Sequence, residues 1–260
     1  MTPKRKGAIR MADIPAATLL RLNKGEIEAL TLAEVLAVDF ARLLQSAFPG
    51  LDKSLVKQMR EANEELGWLA RTRLAGALLY QGLGAKALKK TLHHPSDQVR
   101  GWGAALIAAL PEMDIEERLE LVRPIADDPN AGTRETAWLM IRPHIAADIK
   151  HSIRILRPWT ASAQPNLRRF ASEITRPRGV WCTHIPELRK DPKPGLILLE
   201  ALHADPSRYV QNSVANWLND ASKDNPDFVK NICRIWAQQS RTKETAYICK
   251  RAQRTLRKKS

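Results

Sequence analysis

Between Pro165 and Trp181 the chain reads Pro-Asn-Leu-Arg-Arg-Phe-Ala-Ser-Glu-Ile-Thr-Arg-Pro-Arg-Gly-Val-Trp. One acid, Glu173, stands among four arginines, Arg168, Arg169, Arg176 and Arg178. Guanidinium groups suit phosphates because they present paired donors to anionic oxygens. A carboxylate there repels a phosphate backbone, and the last turn of a helix, where Glu173 is expected, disfavours negative charge. A residue set against two local preferences is a candidate for chemistry. The competing reading is a solvated Arg169–Glu173 pair at i,i+4, in its weaker order, which contributes about 0.3–0.5 kcal/mol.

Two further segments place an acid near an aromatic. One is Arg134-Glu135-Thr136-Ala137-Trp138, and the other runs from Arg208-Tyr209 to Asn216-Trp217-Leu218-Asn219-Asp220, with Lys223 beyond it. If these segments lie side by side, Glu135, Glu173 and Asp220 converge inside a basic groove. Acids and indoles in such a groove fit a cationic substrate carried on an anionic polymer. A purine alkylated at N3 or N7 has that character. A carboxylate would stabilise the sugar as it becomes positive and would hold the attacking water. Indole faces attract a cationic base by about 0.5–2 kcal/mol. The arginines would hold phosphates and fix the register. That chemistry requires no metal and no organic cofactor.

The elements that must position these residues are helices; strand alternation is nearly absent. Thr31 is placed to cap a helix whose apolar residues run from Leu32 to Leu44, with Pro49-Gly50 ending it. A second helical region, residues 51–80, breaks near Gly67. From about residue 85 a repeat appears: a short amphipathic helix, a turn, then a second helix. The second helices open at Val99-Arg100, Thr133-Arg134, Leu167-Arg168, Val210-Gln211 and Ala246-Tyr247, after turns carrying His94-Pro95, Asp128-Pro129, Gln164-Pro165 and Asp205-Pro206. Arg100 to Arg134 and Arg134 to Arg168 are each 34 residues; Arg168 to Gln211 is 43. This spacing predicts an all-α fold, a HEAT-like repeat α-solenoid of paired antiparallel helices with a concave basic groove. The domain expectation is a basic, poorly ordered segment 1–25, a single solenoid 26–256 and a basic tail 257–260. Trp68, Trp102, Trp159 and Trp236 fit core faces, whereas Trp181, after Pro177 and Gly179, falls outside a regular helix.

The run from Asn166 to Glu173, followed by Arg176-Pro177-Arg178 and Trp181, resembles the AlkC/AlkD superfamily of HEAT-like DNA glycosylases, the AlkC branch above all. So does Tyr209-Val210-Gln211-Asn212-Ser213-Val214-Ala215-Asn216, followed by Leu218-Asn219-Asp220 and Lys223. The similarity spans about Leu30 to Leu256. The resemblance implies a monofunctional DNA N-glycosylase that hydrolyses the N-glycosidic bond of cationic alkylated purines, N3-methyladenine and 7-methylguanine among them, in duplex DNA. It implies Glu173 as the catalytic carboxylate, Asp220 and Glu135 as supporting acids, Trp181 as an aromatic wall and Arg169 as a phosphate contact. Spacing adds Trp138 beside Glu135 as a second aromatic. Arg168, Arg176, Arg178, Arg134, Arg208, Tyr209, Asn216 and Lys223 complete the expected DNA contacts. Two departures from the family are expected to affect lesion gripping: Gly179-Val180 stands where an apolar-Pro pair is usual, and no C-terminal immunoglobulin-like domain follows Ser260. The alternative within the superfamily is a catalytically silent protein that binds distorted or branched DNA.

Charge supports a polyanion partner. Of the net +14, the first 149 residues, with 20 basic and 19 acidic side chains, hold one unit. The last 111, with 22 and 9, hold the remaining +13. No run of 18 apolar residues suggests a membrane span, and the N-terminus lacks the apolar core of a secretory signal. Cys182, Cys233 and Cys249 are too few and scattered for a disulfide framework, and Cys182 with His184 has no second ligand pair for zinc. The expectation is a cytoplasmic, nucleoid-associated protein of bacterial type, monomeric and without an obligate protein partner. Helical repeats also serve as protein scaffolds, and titration separates the two. A nucleic-acid binder should retain plain duplex at low salt and lose it steeply as salt rises. A scaffold should show neither.

Overall fold

The computed structural model describes residues 5–257, and all regular structure in them is helical. The chain separates into two compact units, residues 1–140 and 141–260, the division falling inside the helix Ala131–Ala147. Of the basic segment 1–25, residues 1–4 lie outside the described part. The rest holds a short 3-10 turn, Met11–Asp13, and the helix Ala16–Lys24, which Gly25 ends in the left-handed region at φ 72°. Of the tail 257–260, only Arg257 is described.

In the first unit, Thr31 does cap a helix, its hydroxyl accepting from the Glu34 amide at 3.3 Å. That helix is shorter than expected. It stops at Ala37, and a new one runs Phe40–Ala47, because the Asp39 carboxylate takes the amides of Ala41 and Arg42 and so starts its own N-terminus. The helices Lys53–Glu65 and Trp68–Leu83 are separated at Gly67. Trp68–Leu83 packs closely on Asp97–Ala109: at Gly76 an added Cβ would overlap the Ala105 backbone. Phe40, Leu43, Leu44, Met59, Leu78, Leu79 and Trp102 fill the core of this unit.

The second unit contains the helices Ile149–Leu156, Pro165–Ile174, Arg208–Ala221, Pro226–Gln239 and Lys243–Ala252; the long stretch between Ile174 and Arg208 holds the short helices Pro186–Lys190 and Leu196–Leu199. Its core includes Ile153, Leu156, Phe170, Ile174, Trp217, Trp236 and Ile248. Trp102, Trp159 and Trp236 are buried as expected, Trp68 is half-buried, and Trp138 and Trp217 are buried as well.

The repeat positions found by spacing share one structural task. Arg100 Nη1 donates to the carbonyls of His94 and Pro95, at 2.9 and 3.1 Å. Arg134 Nη1 does the same to Asp128 and Pro129, at 2.6 and 2.9 Å, and Arg168 Nη1 to Ser162 and Ala163, at 2.9 and 3.1 Å. Gln211 Nε2 reaches the Asp205 carbonyl at 2.8 Å. Each side chain thus ties the turn ahead of its own helix, satisfying carbonyls that the preceding turn leaves open. Two of them also reach forward to the acid of the next turn. Arg100 grips Asp128 through Nε and Nη2 at 2.6 and 3.1 Å, and Arg168 grips Asp205 in the same fork at 2.6 and 3.0 Å. Asp128 and Asp205 each also accept the amide two residues on, Asn130 at 2.7 Å and Ser207 at 2.8 Å.

Arg168 is therefore expected to act on stability. Arg168→Ala strands the nearly buried Asp205 carboxylate and should destabilise the fold by about 3 kcal/mol, with Arg100→Ala behaving alike. Urea unfolding of the two variants beside wild type checks this. A residue that touched only phosphate would leave the midpoint where it was.

Candidate active site

The helix Pro165–Ile174 starts with proline at its first position and buries Leu167, Phe170, Ala171 and Ile174 at i, i+3, i+4 and i+7. Phe170 stacks on Trp159 with centroids 5.1 Å apart. Thr175 ends the helix, and Pro177 prevents its continuation. With the apolar stripe inward, Glu173 lies at its edge and is only 3% exposed. The helix Arg208–Ala221 lies alongside. Trp217 donates from Nε1 to the Thr175 carbonyl at 3.0 Å, fixing the register of the two helices.

Glu173 is held on both oxygens. Oε1 accepts from Arg176 Nη1 at 2.6 Å. Oε2 accepts from the Ser213 hydroxyl at 2.6 Å, with Arg169 Nη2 3.5 Å away. The Ser213 oxygen in turn accepts from Ser172 at 2.8 Å. Arg176 continues across to Asp220, with Nε and Nη2 at 2.8 and 2.7 Å from Oδ2, while Lys223 Nζ donates to Oδ1 at 3.1 Å. Two carboxylates on neighbouring helices are thus bridged by one buried guanidinium. Burial by itself pushes Glu173 up. The charges of Arg169 and Arg176 and the Ser213 hydrogen bond outweigh it and hold the carboxyl below its ordinary range. Arg176 shows the mirror image: burial pulls it down, and its two carboxylates more than restore it. The Arg169–Glu173 pair of the sequence reading exists, but buried rather than solvated.

The other expected site residues divide into groups. Trp181 is 55% exposed, beside exposed Val180, and stands at φ 61°, a left-handed conformation that costs a non-glycine residue energy. Arg169 stacks on Tyr209 at 4.3 Å from the ring centre, and Arg208 on Tyr247 at 3.5 Å. The Tyr247 hydroxyl donates to Asn212 at 2.7 Å. Asn216 accepts from Arg254 at 2.9 Å. Arg178 is engaged, with Arg189, on the carboxylate of Asp224, which the two guanidiniums drive far below the usual range. Arg176 is buried between acids, and Arg168 and Arg134 tie turns, where phosphate contacts were expected. Glu135 and Trp138 belong to the first unit and bond each other, Trp138 Nε1 to Glu135 Oε2 at 2.8 Å.

Two members of the site escaped the sequence reading. Ser213 stands seven residues before Asp220, hence on the same helix face, and that spacing was a usable signal. Arg142 sits in the apolar run Trp138-Leu-Met-Ile-Arg-Pro-His, where a charge inside a buried stripe marks a specific partner. It donates to the carbonyls of Ile174 at 2.5 Å, Arg176 at 2.6 Å and Thr183 at 3.2 Å.

Several known proteins are similar to this chain. A family model described as DNA alkylation repair enzyme matches residues 105–248. A curated Bacillus subtilis (strain 168) protein, YhaZ, is 40% identical over 124 residues, which are 48% of this chain and 34% of that protein; the chain spans about a third of its length. The Pseudomonas fluorescens alkylpurine DNA glycosylase AlkC, solved bound to DNA containing an abasic site analog, superimposes with a TM-score of 0.68 at 24% identity, over 83% of this chain and 60% of that one. AlkD2 from Streptococcus mutans gives 0.53 at 24% identity, over 83% and 96%. These two likenesses establish the fold as that of the AlkC/AlkD proteins. With more than half of its residues matched by the family model, the chain belongs to the DNA alkylation repair enzyme family.

Proposed function

We propose that the protein is a monofunctional DNA glycosylase releasing cationic alkylated purines, N3-methyladenine and 7-methylguanine in class, from duplex DNA. The observation that carries this reading is the buried Glu173 carboxylate, held by Arg176 and Ser213 and joined through Arg176 to Asp220. A purine made cationic by alkylation needs no acid to leave. When the bond from C1′ to the base nitrogen breaks, its electron pair neutralises the base. What the reaction requires is negative charge near a sugar that is turning positive, and a place for the proton lost by the attacking water. A carboxylate held below its ordinary range supplies both and cannot serve as a general acid near neutral pH. Normal purines, which leave poorly without protonation, gain little from such a site.

In this reading Glu173 stabilises the sugar and orients water, and Asp220 assists through Arg176. Exposed Trp181 faces the damaged nucleotide. Arg169, Arg208, Tyr209, Arg178, Asn216 and Lys223 lie toward the phosphate backbone. The partner is double-stranded DNA, the working form a monomer, and no cofactor enters. A second reading, a silent binder of distorted or branched DNA, is favoured by one observation: every acid of the bridge is already paired with a cation, as in a structural network.

Free-base release from methylated duplex, resolved by chromatography, decides between them. Wild type should release N3-methyladenine or 7-methylguanine, and Glu173→Gln should slow this about 100-fold or more while still binding plain duplex. Tight binding with no release identifies the silent binder. Unchanged release by Glu173→Gln removes that acid from the mechanism.

The pH profile supplies an independent check. Because the folded Glu173 lies below its ordinary value of 4.5, the charged form and the stability it contributes persist above that value. Both are lost only as pH falls through the lower folded value. Single-turnover rates should therefore stay level from pH 8 to about 5 as far as this group is concerned. A fall between pH 7 and 5 that Glu173→Gln abolishes would contradict the assignment.

A further inference from the structure

Arg142 is a buried cation whose hydrogen bonds, among the described residues, go to backbone carbonyls alone. It is 2% exposed, and burial draws it below the usual arginine range. Charge is costly to place there, so what it holds matters. Nη1 and Nη2 take the carbonyls of Ile174 and Arg176, at the C-terminal end of the helix that carries Glu173. Carbonyls left open at such an end concentrate negative potential. Nε takes the carbonyl of Thr183, on the far side of the excursion that bears Pro177, Arg178, Gly179, Val180, Trp181 and Cys182. One planar group thus grips both feet of that loop.

Two further observations show that the loop closes on this grip. The Ile185 amide donates to the Pro177 carbonyl at 3.0 Å. At Gly179 an added Cβ would overlap Cys182 Sγ and come within 3.5 Å of the Arg142 guanidinium carbon, so the crown of the loop folds back over the arginine. Trp181, at φ 61°, holds a conformation that persists only where its surroundings enforce it.

We propose that Arg142 is a positioning residue: by holding Ile174, Arg176 and Thr183 together it sets the direction of Trp181. What Trp181 faces rests on the glycosylase reading; how it is held does not.

The test compares Arg142→Lys, Trp181→Phe and the double variant, each below its melting temperature. Lysine keeps a charge but offers no planar fork to three carbonyls. Arg142→Lys should slow base release from methylated duplex about 10- to 100-fold, with the loss largely absent in the Trp181→Phe background. Trp181 is the exposed tryptophan among the seven, so its acrylamide quenching is read as the difference from the matching Trp181→Phe protein. That quenching should change in Arg142→Lys. A residue that merely held the fold would lower the melting temperature and leave quenching and rate in the folded fraction unchanged. Wild-type rate and quenching in folded Arg142→Lys, or losses that simply add with Trp181→Phe, overturn the proposal. Absence of release by wild type sinks the glycosylase reading instead, and the quenching arm, which needs no activity, still decides the positioning. If Arg142→Lys does not fold, hydrogen exchange on wild type carries the test. The Ile185 amide should be protected at least 100-fold over a free peptide, and exchange at the free-peptide rate overturns the proposal.

Discussion

The second unit is organised around one guanidinium that water barely reaches. Arg176 follows directly on the end of one helix and spans Glu173 on that helix and Asp220 on the next. Removing either acid would leave a buried charge poorly compensated, and removing the arginine would leave two acids facing each other. The other contacts of the site agree with this constraint. Ser213 turns its hydroxyl to the oxygen of Glu173 that Arg176 does not use, Lys223 takes the spare oxygen of Asp220, and Trp217 fixes the spacing of the two helices from below. Such an arrangement costs desolvation energy that a leucine pair would not, and its return lies in fixing charge and geometry.

Much of the fold was readable from spacing. Arg100, Arg134, Arg168 and Gln211 marked the second helices because proline-bearing turns precede them and apolar residues follow at helical intervals. Their task was not readable. An arginine that grips carbonyls and an arginine that grips phosphates have the same sequence neighbourhood, so the expectation of DNA contacts at Arg134 and Arg168 gave no sign of the turn carbonyls that both hold. Asp39 shows a local failure of the same kind: apolar spacing ran through it, while its carboxylate capped a new helix.

For the site, the sequence put Glu173 and Asp220 on neighbouring second helices, five residues past Arg168 and nine past Gln211, and put Trp181 outside a regular helix after Pro177 and Gly179. Ser213 and Arg142 were missed for different reasons. Ser213 was hidden by the more conspicuous Asn216 and Trp217 on its helix. Among the described residues the hydrogen bonds of Arg142 go to backbone carbonyls, and a backbone carbonyl leaves no trace in the residue types around it. Charge counting gave the size of the surplus and not its location: Arg176, Arg178 and Arg189 pair with internal acids that the net +13 already subtracts.

The 43-residue interval between Arg168 and Gln211, against 34 in the two intervals before it, has a consequence for how this molecule can diverge. The extra residues lie between fixed anchors, the carbonyls of Ile174 and Arg176 at one side and the Asp205 fork at the other. Lengthening a segment whose ends are already pinned costs only about 0.6 kcal/mol per doubling. At the exposed crown around Val180 and Trp181, and not in the buried stretch from Ile185 to Leu202, insertions and deletions can therefore accumulate beside the acids without disturbing the helices that hold them. Lineages of this chain should differ most in loop length beside the most constrained side chains, so that tolerance to new ligands and rigidity of the reactive groups sit in adjoining stretches of sequence.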